Sequence, residues 1–332
     1  MNGIDITKLF SAIAKINGVN NISKQFTVAP AQAQRMRKAV QEKSEFLKLI
    51  NCVERTEKTG EVIGLSSGLS ASRTNVQANK PRQPRSVHAL DPQKYLMRKV
   101  NFDTAIAYDD LDSWIHIEPN YLTLLNDKII ESKSRSLLCT AFNGTHWADD
   151  TDFVAYPLLQ DCGIGWLQKM RNDRSAAVMG SESEPVKWGP AQEYKNLDAV
   201  VMDVTNTMIQ EEFKGYKDMV VICNQRFLGD KYFTIVNAAG AQATEITSSE
   251  VLVSTRRLGG LRALAVPFVP DNTALITPLS NLSIYFQKNG VRRKVKDEPE
   301  YDRIVNYESD NIDYVVEELN AAALIQNVTH IK

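Results

Sequence analysis

The sequence predicts an α+β fold, and three observations carry that prediction. Leu122, Leu125, Ile129 and Leu137 fall at helical spacing over residues 119–142. Residues 219–223 read Met-Val-Val-Ile-Cys, a continuous apolar run expected of a buried central strand. Ile312, Tyr314 and Val316 alternate with Asp313, Val315 and Glu317, the two-residue period of a strand that adds one more buried face.

Taken in order, residues 1–54 predict a helical N-terminal arm. Ile6, Leu9, Phe10, Ile13 and Ile16 keep helical spacing and Gly18 ends the run. Residues 26–30, Phe-Thr-Val-Ala-Pro, form an extended break, because the residue before a proline is pushed out of the helical region. A second amphipathic helix follows, with Met36, Val40, Leu47 and Ile50 near one face. Neither helix has an obvious partner in the sequence, so a scaffold or a neighbouring subunit is a candidate surface for one of them.

Residues 55–100 differ in character. Gly60, Gly64 and Gly68 sit among serines, followed by Pro81, Pro84 and Pro92. Between 71 and 99 there are seven cations (Arg73, Lys80, Arg82, Arg85, Lys94, Arg98, Lys99) against one acid, Asp91. A stretch of this length and composition inside a compact domain is functional or disordered. Its flanks, 61–65 and 95–100, predict a long hairpin, and an isolated two-stranded ribbon needs a neighbour to lie on. The next segment, 102–118, carries Asp103, Asp109, Asp110, Asp112 and Glu118 and no cation. A basic projection beside an acidic body suits head-to-tail contact between copies. Two solvated loops of different charge satisfy the same pattern.

Pro119 suits the first turn of the long helix, where its missing N–H has no intrahelical partner, and Asn143-Gly144 stops it. After an acidic stretch with Asp149, Asp150, Asp152 and Asp161, a shorter helix is expected over 158–171, and another through Leu197, Val200, Val204 and Met208. Apolar pieces at 251–253, 263–269, 274–276 and 282–286 predict further strands. There is no internal repeat.

Composition removes several function classes. The chain has 332 residues, 43% of them hydrophobic, enough for a substantial core. Its 39 Lys and Arg against 40 Asp and Glu exclude a nucleic-acid-binding polycation. Cys52, Cys139, Cys162 and Cys223 are scattered, as expected of reduced, buried thiols. No signal peptide or membrane-spanning run appears, so no membrane association is expected. His88, His116, His146 and His330 make no zinc signature, and no phosphate-binding glycine loop or nucleophile elbow occurs. These absences remove every easy enzymatic reading, and the expectation is a chain that catalyses nothing and holds no metal or cofactor. A nucleic-acid-binding protein using the 71–99 stretch and an α+β enzyme of unrecognised type are the alternatives.

Specific strings then matter. They include Ser23-Lys24-Gln25-Phe26-Thr27-Val28, Gly60-Glu61-Val62-Ile63-Gly64, Ser70-Ala71-Ser72-Arg73-Thr74, Asn101-Phe102-Asp103 and Leu111-Asp112-Ser113-Trp114. Pro157-Leu158-Leu159-Gln160-Asp161, Gly165-Trp166-Leu167-Gln168-Lys169 and Asn281-Leu282-Ser283-Ile284-Tyr285 follow, and the most specific is Asn311-Ile312-Asp313-Tyr314-Val315-Val316-Glu317. In this order they resemble the major capsid proteins of P2-like tailed bacteriophages. The resemblance implies the HK97-like capsid fold, with 1–54 as N-terminal arm and 55–100 as extended loop. It implies a peripheral domain over 101–165, with a spine helix at about 119–142 and strands at about 290–318 completing it. An axial domain would span 166–289, with 319–332 returning nearby. The implied function is self-assembly through pentamers and hexamers into an icosahedral head around double-stranded DNA, in the bacterial host cytoplasm. A scaffolding protein carrying a protease and a portal are the implied partners, with trimming of the arm near Phe26 and Thr27. On this reading Arg73, Arg82 and Arg85 of one copy meet Asp103, Asp109, Asp110 and Asp112 of the next.

Overall fold

One long strand, Arg303–Val316, organises the molecule. The structure is a computed structural model that describes residues 14–15, 19–67, 88–110, 121–229 and 256–331. In chain order β1 is Phe26–Thr27, α1 Pro30–Glu42, β2 Asn51–Arg55, β3 Thr59–Ser67, β4 His88–Leu96, β5 Arg98–Asn101 and β6 Thr104–Ala107. Then come α2 (Tyr121–Asn143), β7 (Thr145–Trp147), β8 (Cys162–Ile164), α3 (Trp166–Asp173), β9 (Val178–Met179), β10 (Val186–Trp188) and α4 (Leu197–Met208). The remaining strands are β11 (Met219–Cys223), β12 (Arg257–Leu258), β13 (Leu261–Ala265), β14 (Ala274–Pro278), β15 (Leu282–Gln287), β16 (Arg292–Glu298), β17 (Arg303–Val316), β18 (Ala323–Ile325) and β19 (Val328–His330).

A seven-stranded sheet is built around β17. Along one edge β16 pairs with residues 303–309 and β15 with 312–316, as two antiparallel pieces interrupted at Asn289 and Gly290. Along the other edge β6 pairs with 303–306 and β5 with 309–312. The second sheet has the order β12-β13-β11-β14-β18-β9, and β11 lies inside it with all five residues buried, as its apolar run predicts.

Trp166 joins the two halves. Fully buried, it stands edge-on to Phe142 at 5.3 Å, Tyr314 at 5.9 Å and Phe46 at 6.3 Å, and its indole N–H donates to the Ser283 carbonyl at 3.1 Å. An indole carries enough apolar surface to anchor a core, provided its N–H finds a partner. On the far face of the second sheet, Val200, Val201 and Val204 of α4 pack against Val221, Cys223 and Ile276. Asn196 caps that helix by accepting from Ala199 N–H at 2.9 Å.

Several expectations change. The first predicted helix, over residues 6–16, and the apolar piece at 251–253 lie almost wholly outside the described residues. The second helix ends at Glu42. Leu47 and Ile50 reach the same core through a separate short turn, held by the Gln41 amide donating to the Leu47 and Ile50 carbonyls at 2.9 and 3.3 Å. This helix also has its partner within the chain: Ala33, Arg37 and Val40 are buried on it. The 158–171 helix begins only at Trp166, because 162–164 pair with β7 instead. Gly165 passes so close to α2 that an added Cβ would sit 2.4 Å from the Ala141 carbonyl oxygen. Residues 282–287 lie in the sheet of β17, so the strands of the 166–289 segment divide between both sheets. Residues 312–316 are buried on both faces rather than one.

Candidate assembly interface

Four acids on β17 and just past its end hold the parts of the chain that project from the body. Asp310, fully buried, accepts from Arg37 of α1 in a bidentate pair, Nη2 to Oδ1 at 2.7 Å and Nε to Oδ2 at 3.1 Å. The same guanidinium donates to Glu54 at 2.8 Å and to the Gln287 carbonyl at 2.9 Å. Burial pushes the Asp310 carboxyl above its ordinary value, and Arg37 opposes that rise. Glu308 pairs with Lys133 of α2, whose ammonium lies 4.6 Å from the Phe102 ring centre. Asp313 accepts from the Leu96 backbone N–H and the Lys169 ammonium, each at 2.9 Å. Glu317 accepts from the Tyr285 hydroxyl at 3.0 Å. Removing one partner of a buried pair strands the other charge, at a cost of about 3–5 kcal/mol.

The predicted hairpin exists as β3 and β4, with Glu61 opposite Lys94. Its second strand stops at Leu96, earlier than expected, because Arg98–Asn101 pairs with β17 as β5. The root is fixed by aromatics: Tyr95 stands edge-on to Tyr285 at 5.1 Å, and Met97, Val62 and Val315 complete the cluster. Gly60 faces Tyr95 directly across the hairpin, and an added Cβ would lie 2.6 Å from the tyrosine oxygen. The glycine gives the ring room to lie across the neighbouring strand.

The sequence-predicted charges divide. Arg73, Arg82, Arg85 and Asp112 lie outside the described residues. Asp103 is exposed, yet one carboxylate oxygen accepts from the Glu308 backbone N–H at 3.0 Å, so part of its capacity fixes the β5–β6 crossing. Asp109 and Asp110 are exposed at the opposite end of β6, so the acids form no single patch with Asp103. They sit beside the β16–β17 turn: Tyr108 N–H donates to the Asp302 carbonyl at 2.9 Å, and its hydroxyl donates to Asp297. That bond and the neighbouring acids push the Tyr108 hydroxyl to about 12. Glu300 and Asp302 are exposed there too. Sequence reading missed Asp297, Glu300 and Asp302, which stand some 190 residues away in the chain; a search for acids at the end of β16 and in the turn after it would have found them. Phe26 and Thr27 are paired in β1 with Arg293 and Arg292 of β16.

The profile of the P2 family of phage major capsid proteins matches residues 6–328. The chain belongs to that family. It is 39% identical over 329 residues to capsid proteins of Escherichia phage P2, covering 96% of this chain and 92% of the relative. It is 35% identical over 325 residues to the major capsid protein of Serratia phage KSP20, covering 95% and 93%. Among solved structures, a chain of the satellite phage P4 procapsid, determined with its size determination (Sid) protein, superposes with a TM-score of 0.82 at 37% identity over 99% of both chains. A capsid chain of a native GTA particle (TM-score 0.54, 13% identity, 86% of this chain and 91% of that one) has the same fold. So does a chain of the cyanophage A-1(L) capsid (0.54, 10%, 84% and 90%). The fold is thus the HK97-like capsid fold, and the capsid protein has a structural role in the virion, where copies associate with one another. Within this subunit, β17 ties together α1, the root of the β3–β4 hairpin and α2.

Proposed function

We propose that the capsid protein closes its shell through the basic end of the β3–β4 hairpin, laid on an acidic corner of the neighbouring copy. Residues 68–87 carry Arg73, Lys80, Arg82 and Arg85 and no acid. The corner holds Asp109, Asp110, Asp297, Glu300 and Asp302, with Tyr301 two-thirds exposed among them. The observation that carries the reading is the hairpin's anchorage: its root is buried at Tyr95 and Met97, while the sequence that joins its strands holds four cations and no acid. Each exposed pair is worth about 0–1 kcal/mol, so closure comes from repetition around the shell.

On the same reading residues 1–54, 55–100, 101–165 and 166–289 serve as arm, extended loop, peripheral and axial regions. Copies form pentamers and hexamers of an icosahedral head around double-stranded DNA, assembled in the host cytoplasm with a protease-bearing scaffolding protein and a portal. The chain itself performs no catalysis. Trimming near Phe26 and Thr27 would precede the pairing of β1 with β16, since a protease needs the backbone that this pairing occupies.

Replacing Arg73, Arg82 and Arg85 together with glutamate is expected to give folded subunits that form no closed particles in electron micrographs. Normal particles would remove the hairpin end from the contact.

A further inference from the structure

Among the described residues, the face of β17 turned away from α1 and α2 exposes Tyr307 and half-exposes Arg303, Ser309 and Asn311, while Val305 on it is buried. Register places Arg292, Lys294 and Lys296 of β16 on this face, beside Tyr307 and Ser309 of β17 and Lys99 and Asn101 of β5. Arg292, Lys296, Lys99 and Tyr307 are exposed. A cleft of ≈290 Å³ opens here, with Lys99, Arg292, Arg293 and Lys294 against two acids in its lining, Asp103, which accepts from the Glu308 N–H, and Glu308, which is paired with Lys133. Among the described residues, Lys99, Arg292 and Lys294 have no ion-pair partner. Glu298 on this face is already paired with Lys296 and Arg303 at 3.3 and 2.9 Å. Ala105 and Ala107 of β6 give the same face an exposed apolar margin.

A second surface has the opposite make-up. Residues 151–158 are all exposed, with Phe153 at 69% and Val154 at 94%. The loop is nevertheless built. Asp152 accepts from Val154 and Ala155 N–H at 2.9 and 3.0 Å, buried Asp161 accepts from Asp152 N–H at 2.8 Å, and Tyr156 stands edge-on to His146 at 5.2 Å. Asp149 and Asp150, exposed beside it, have no ion-pair partner among the described residues. A preorganised loop that holds two apolar side chains in water loses little further freedom on docking.

We propose that the open basic face of the β17 sheet receives the 149–154 loop of a second copy, with Asp149 and Asp150 against Arg292, Lys294 and Lys99, and Phe153 and Val154 against Tyr307 and the β6 alanines. Charge complementarity selects this occupant, since the loop joins unpaired acids to uncovered apolar groups and the face joins unpaired cations to the same. Lys99, Asn101 and Asp103 border both the cleft on this face and the ≈580 Å³ cleft walled by residues 147–153. Two complementary patches side by side on one subunit suit contact around a local symmetry axis. The contact uses none of the residues assigned to the hairpin's acidic corner.

The test uses the full chain. Asp149→Lys with Asp150→Lys, and separately Arg292→Glu with Lys294→Glu, should each lower the yield of closed particles by about ten-fold or more, with thermal unfolding as in the parent. Combining all four should restore the yield to within about three-fold. As a readout that does not depend on yield, Val154→Cys with Lys294→Cys should give covalent inter-copy dimers with a short bismaleimide in assembled particles. Reversals that assemble like the parent, a combined variant that stays defective, or absence of dimers would overturn the proposal. So would a defect confined to Arg292 and Lys294 and accompanied by loss of packaged nucleic acid, which would make the face a polyanion surface.

Discussion

Residues 312–316 of β17 are buried on both faces, whereas residues 303–311 bury one face fully and the other only in part, with Val305 buried and Tyr307 exposed. The two halves share a strand, a sheet and the same two-residue side-chain period, and they differ in what lies above them. Over the first half come Tyr95 and Met97 from the hairpin root, so Tyr285 and Val315 are sealed. Over the second half, among the described residues, the exposed row is Arg292, Lys296, Lys99 and Tyr307, with Gln25 at the edge of the cleft and Val305 buried among them. One part of the central strand thus holds the hairpin root of its own chain, and the other is the part proposed above to meet a neighbouring copy.

The largest effect expected from breaking this division lies at the boundary, at Asp310. Arg37→Ala leaves that carboxylate buried without its guanidinium and frees α1, and should destabilise the subunit by about 3–5 kcal/mol in urea unfolding. Replacing Arg37 and Asp310 together by methionine and leucine should recover most of the loss, because the fully buried charge is then gone and Glu54, which also loses the guanidinium, is partly open to solvent. A smaller contrast separates the two halves. Tyr95→Ala removes the ring sealing the covered half and should cost about 3 kcal/mol, while Lys296→Ala on the open half should stay within about 0.5 kcal/mol. Similar losses for the two variants would mean that the open half also contributes to the fold of the single subunit.

Much of this division was legible in the residues. The apolar run of β11, the α2 period and its stop at Asn143-Gly144, and the hairpin flanks all reported local structure, which sequence spacing encodes directly. The second burial of 312–316 was not legible, because it depends on Tyr95 and Met97 arriving from more than 200 residues away. The late start of α3 was not legible for a similar reason: Gly163 in β8 and Gly165 after it lie close against α2, and the 158–171 period does not register that neighbour. Of the charged site, Asp109 and Asp110 were readable as an acidic run, but their spatial companions, Asp297 near the end of β16 and Glu300 and Asp302 in the turn that follows, are brought alongside by the β6–β17 pairing. Arg37, the residue that fastens the arm, gave no signal in sequence, since a lone arginine on an amphipathic helix reads as solvated surface.

Particles assembled from equal parts of isotopically light and heavy chains, treated with a zero-length amine–carboxylate coupling reagent and digested, test the central contact most directly. The account predicts mixed-isotope links from Lys80 at the hairpin's basic end to Asp109, Asp110, Glu300 or Asp302 of another copy. Links from Lys80 confined to its own copy, or to acids elsewhere on the neighbour, would contradict it.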